Sequence, residues 1–77
     1  MKYILWKQLK TKSVKVFESP NINDVVKYAK SSNLRFSGFS YVGQFATYTD
    51  EKRMYSIQGQ YNGIVCSYKP DVISTEL

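Results

Sequence analysis

A chain of 77 residues with one cysteine and no histidine leaves little room for several kinds of chemistry. Cys66 has no partner for an internal disulfide, which argues against a cross-linked secreted scaffold and for a reducing cytoplasm. The missing histidine removes the commonest general base and the commonest metal ligand. The net charge of +5, from 11 Lys and Arg against 6 Asp and Glu, favours an anionic partner, although small basic proteins also carry such charge for solubility alone.

At 43% apolar and 22% charged, the composition is that of an ordinary globular chain. The length suits one small domain, expected over residues 1–70, with 71–77 (DVISTEL) as a frayed tail. No stretch approaches 18 apolar residues and MKYILWKQLK lacks a signal-peptide core, so no membrane partner is expected. Seven tyrosines supply rings that fill a core and hydroxyls that tolerate its edge.

Along the chain, Lys2 to Leu9 reads as a strand. Tyr3 and Leu5 point one way, Ile4 and Trp6 the other, and apolar residues on both faces suit a central strand, or one covered on both sides, better than a free edge. After the polar LKTKS, Val14, Val16 and Phe17 make a second strand that can return as a hairpin. Pro20 stops pairing. Asn21 or Asn23 can cap a helix from about Asp24 to Ser32, with Asp24 near its positive end. Val25, Val26 and Ala29 form the apolar stripe, Tyr28 lies at its margin, and Asn33 suits a left-handed cap. Phe36 to Val42 is the next strand, with Gly38 marking a bulge or a close backbone approach beneath the helix. Gln44 to Thr49 is the next strand, or the continuation of the same one past a bulge, and a tight Asp50-Glu51 turn follows.

Lys52 to Lys69 reads as two strands joined at Asn62-Gly63, because a type I′ turn needs positive φ at both central positions. That turn pairs Tyr61 with Ile64, Gly59 with Cys66 and Ile57 with Tyr68. Tyr55, Ile57, Tyr61, Ile64, Cys66 and Tyr68 then share a core face. Met54, Ser56, Gln58, Gln60, Val65, Ser67 and Lys69 share a wet one. Pro70 ends the pairing. The resulting fold class is α+β: a single helix packed on one face of a four- to five-stranded antiparallel sheet.

No constellation for nucleophilic or acid–base catalysis can be assembled, the four glycines are isolated, and neither a cofactor nor a metal site is expected. Three basic groups are candidate partner contacts: Lys7, Lys10, Lys12 and Lys15 on the first hairpin; Lys27 and Lys30 on the helix, with Arg35 beyond; and Lys52 and Arg53 at the acidic turn, with Lys69 further along. Against nucleic acid they would meet phosphates and confer salt-dependent affinity without sequence preference. Met54, Gln58 and Gln60 on the uncharged wet face suit a protein contact.

Ile22 to Lys30, Phe36 to Val42 and ATYTDEKRMY from Ala46 to Tyr55 together give an outline that resembles small phage-encoded anti-defence proteins, in particular a compact type I-F anti-CRISPR family. The likeness is one of topology over about half the chain. The Asn62-Gly63 hairpin strand and the tail depart from it. It implies a non-enzymatic inhibitor that occludes a host defence or nucleic-acid-processing complex in the host cytoplasm, and it carries over no individual binding residue. The alternatives are a small nucleic-acid-binding protein using its lysine loops and a homodimer paired edge to edge.

Overall fold

A computed structural model describes residues 1–40 and 45–68. The expectations for Tyr41 to Gln44, Lys69, Pro70 and the tail at 71–77 lie outside the described residues. The elements are β1 (Lys2–Gln8), β2 (Ser13–Ser19), α1 (Ile22–Ser31), β3 (Arg35–Phe39), β4 (Phe45–Thr49), β5 (Met54–Tyr61) and β6 (Ile64–Cys66). All pairings are antiparallel, in the order β2-β1-β5-β4-β3, with β6 added to β5. This is the expected α+β architecture, with β1 inside the sheet as its two apolar faces require.

The helix starts two residues earlier than the sequence suggests. Asn21 is the cap, and its side chain accepts from the Asn23 N–H at 2.9 Å. Ile22 therefore joins Val25, Val26 and Ala29 as a buried stripe on successive turns. At the other end Asn33 adopts φ 63°, its N–H donates to Lys30 O, and the Leu34 N–H donates to Ala29 O. That is a Schellman closure, and the residue after it, Leu34, is buried against the stripe.

The helix covers one face of the sheet, and Leu5, Ala46, Tyr48, Tyr55 and Ile57 meet it there. Val16 and Phe17, adjacent and both apolar, are reconciled by a bulge: Leu5 pairs with Phe17 and Trp6 with Lys15, so Val16 is the extra residue. Phe17 stacks on Tyr28 with centroids 4.4 Å apart. Gly38, at φ 136°, carries the second bulge, in β3. Both outer strands of the main path are thus bulged, a device that discourages edge-to-edge pairing.

The last hairpin has the expected register, with Asn62 at φ 51° and Gly63 at φ 80° in the turn. Its burial differs from expectation. Ile57 is fully buried, but Tyr61 is 59% and Ile64 69% exposed, although both lie on the helix side. A ten-residue helix is about 15 Å long and an eight-residue strand about 26 Å, so the hairpin tip overhangs the helix. Cys66 is only half-buried for the same reason.

Tyr68 is a second correction. It lies beyond β6 and does not pair with Ile57 as a strand residue. β1 occupies one flank of β5, so β4 and β6 divide the other, meeting residues 54–58 and 59–61 respectively. The Tyr68 hydroxyl sits at the seam, donating to Ile57 O and accepting from the Ala46 N–H, both at 2.6 Å. Its ring meets Tyr3 edge-on at 5.6 Å.

Gly59 makes room for this arrangement. A Cβ there would stand 3.1 Å from Cys66 O and 3.2 Å from the Tyr68 ring. The Gly59→Ala chain is expected to lose about 1–3 kcal/mol. Urea unfolding would show this as a lower midpoint at unchanged slope; an unchanged midpoint would mean that the ring is not held where the structure places it.

Candidate functional site

The pairings decide which loops are neighbours. Lys7 pairs with Tyr55, Gln8 with Ser13, Thr49 with Met54 and Arg35 with Thr49. The β1–β2 turn, the β4–β5 turn and the start of β3 therefore lie at one end of the sheet. The helix, which runs back from the far end of β2, finishes there too.

Each turn is closed by its own bonds and leaves its cations outward. The Leu9 N–H donates to Lys12 O at 2.8 Å, with Lys10 and Lys12 exposed. In the second turn Asp50 Oδ1 accepts from the Lys52 and Arg53 N–H groups, both at 2.7 Å, and Oδ2 accepts from the Tyr55 hydroxyl at 3.2 Å. The Lys52 and then the Arg53 N–H hold the Asp50 carboxyl below the usual carboxylate range. Asp50 is a turn-former, and its geometry explains why an acidic turn can present Lys52 and Arg53. Lys7 lies with its ammonium 5.9 Å from the Tyr55 ring centroid. Arg35, Lys52 and Glu51 border a cleft of about 530 Å³ with Ser32, Asn33 and Asp50, which shows how closely the α1–β3 connection approaches the β4–β5 turn.

Of the residues singled out in the sequence, Lys7, Lys10, Lys12, Lys30, Arg35, Lys52 and Arg53 thus share one end of the molecule, with only Asp50 and Glu51 as acids among these turns. Lys15 stands apart, paired with Glu18 at 3.2 Å, and Glu18 also meets Lys2 at 3.8 Å. Lys27 is exposed on the helix, one turn before Lys30.

Met54, Gln58 and Gln60 lie on the face that the helix leaves uncovered, as their alternation requires. Around them is a cleft of about 490 Å³ lined by Trp6, Gln8, Ser13, Phe45, Thr47, Met54, Ser56 and Gln58, none of them charged. Its floor is a hydrogen-bonded ladder. The Trp6 indole N–H and the Gln60 amide both donate to Gln58 Oε1, at 3.2 and 2.9 Å. Ser13 donates to Gln8 Oε1 at 2.7 Å, and Gln8 Nε2 donates to Ser56 at 3.2 Å. Trp6, Gln8 and Phe45 were not among the sequence candidates. The available signal was that Trp6 faces away from Leu5, and only the β1–β5 pairing brings it beside Gln58.

No family model matches the chain, and no curated protein and no solved structure matches it. Among the described residues no helix is long and apolar enough to cross a membrane, and no three His, Cys, Asp or Glu side chains gather as metal ligands would.

Proposed function

We propose that this is a small non-enzymatic binding protein that docks by its basic end on a nucleic-acid-processing complex, at the polyanion such a complex carries, and impedes it in the manner of phage-encoded anti-CRISPR inhibitors acting in the host cytoplasm. One observation carries the reading. Cations that are scattered in sequence, from Lys7 to Arg53, converge on the end where three connections meet. Clustered charge raises the local concentration of an anionic partner and speeds encounter more than the same charge spread evenly. Phosphate contacts of this kind position a partner without reading its bases.

Reversing Lys10, Lys12 and Lys52 to Glu together is expected to lower affinity for a duplex oligonucleotide at least tenfold. Reversing Lys15 should change it far less. Anisotropy titrations at about 50 and 200 mM salt would read both effects, because each lost phosphate contact also flattens the salt dependence. Negligible, salt-independent binding by the native chain would remove the polyanion contact. Recovery of the same nuclease complex on the native and the charge-reversed chain would move the docking surface elsewhere. Direct nucleic-acid binding without a protein partner is the second reading, favoured by the same convergence of lysine loops.

A further inference from the structure

The uncovered face and the basic end are continuous. Gln8 and Ser13 bracket the turn that carries Lys10 and Lys12, and Met54 directly follows Lys52 and Arg53. The cleft on that face therefore ends, at Gln8, Ser13 and Met54, beside the turns that carry these cations, while its own lining carries no charge.

We propose that this cleft receives the bases of a single-stranded nucleic acid whose phosphates run to the basic end. The inference rests on the polyanion reading of that end and adds which form of nucleic acid is held and by which face. A double helix keeps its bases inside and offers phosphates to the cations alone. A single strand exposes π-faces that need apolar, uncharged surface beside the cations, and stacking on aromatic side chains is how sheet surfaces commonly hold such strands. Trp6 and Phe45 are half-buried at the cleft and Met54 is 52% exposed there. Ser13, Ser56, Thr47, Gln8 and Gln58 line the same space with polar, uncharged side chains. A volume of about 490 Å³ falls in the small-molecule range and suits about one or two bases rather than a long groove. An acidic protein surface would fit the cations equally well but gives no reason for an indole and a phenyl ring beside an uncharged amide ladder.

Trp6 is the only tryptophan, so its intrinsic fluorescence reports on this face alone. The native chain would be titrated with a single-stranded oligonucleotide of about 12 residues and with the matching duplex, at about 50 mM salt. The expected result is quenching of Trp6 by the single strand, several-fold tighter binding of it than of the duplex, and little quenching by the duplex. Gln58→Glu keeps the oxygen that accepts from Trp6 and Gln60, so the fold is preserved, while it places a negative charge under the bases. It should weaken single-strand binding at least tenfold and duplex binding about twofold or less. Binding of both forms without quenching, indifferent to Gln58→Glu, would overturn the cleft proposal and leave the basic-end reading standing. No binding of either form would overturn both.

Discussion

Removing one hydroxyl from Tyr68 is expected to destabilise the fold by about 2–4 kcal/mol, whereas the same removal at Tyr48 should leave it unchanged or up to about 2 kcal/mol more stable. The Tyr68 hydroxyl satisfies two backbone groups at once, and Tyr68→Phe would strand the Ala46 N–H and the Ile57 carbonyl at the seam between β4 and β6. Ala46 and Ile57 are fully buried, so water does not reach those groups without opening the sheet. The Tyr48 hydroxyl is buried with no hydrogen-bond partner among the described residues. Its desolvation is uncompensated, and Tyr48→Phe relieves it.

Alkaline pH should widen the advantage of Tyr48→Phe over the native chain. Burial pushes the Tyr48 phenol from its ordinary 10.0 up to about 12. Below pH 10 both folded and unfolded chains hold the proton and the difference contributes nothing. Between about pH 10 and 12 the unfolded chain releases it and the folded one does not, so stability falls by about 1.4 kcal/mol per pH unit from this residue alone. Tyr48→Phe abolishes that loss, and its advantage over the native chain should widen above pH 10. Burial raises Tyr68 as well, and Tyr48→Phe leaves that contribution in place. Urea melts of both variants at pH 7 and pH 11 would settle the matter; a Tyr48→Phe chain weaker than the native one by about 1 kcal/mol or more, the worth of an ordinary hydrogen bond, would show that the hydroxyl does find a partner.

Two isoleucines on one face of one hairpin should behave in opposite ways. Ile57→Ala is expected to cost about 2–5 kcal/mol, because the side chain is fully buried between β1, β4 and the helix stripe. For so small a domain that approaches its whole stability, and the variant should be largely unfolded at 37 °C. Ile64→Ala should stay within about 0.5 kcal/mol, since Ile64 is 69% exposed. Circular dichroism melts of the two would differ by tens of degrees or the account of the overhanging tip is wrong.

The same pair shows how far the chain could be read unaided. Alternation about Asn62-Gly63 assigns Ile57 and Ile64 to one face, and both are on it. Turn chemistry is local, so the Asn33 cap, the Gly38 bulge, the Asp50 turn and the hairpin register were all legible. Whether a face is covered depends on how far a helix from elsewhere in the chain reaches along it, and nothing near Ile64 encodes that. Val16-Phe17 breaks strand alternation, and only the partner strand shows that a bulge absorbs the extra residue. The candidate site was legible as a list of cations and not as a place. Lys10, Lys12, Lys52 and Arg53 become neighbours through the β1–β5 pairing, a contact without a sequence signature.

That pairing also governs how the molecule comes into being. β1 and β5, both interior to the sheet, lie far apart in the chain, with Trp6 bonded to Gln58 across 52 positions. During synthesis β1 emerges before β5 and can at first form only its hairpin with β2; its other side waits until β5 has left the ribosome. Such long-range closure is the slow kind, so folding should be late and all-or-none, without a stable amino-terminal half. A premature stop within β4 would leave β1 with a naked interior edge, an invitation to aggregate rather than a smaller working version of the protein.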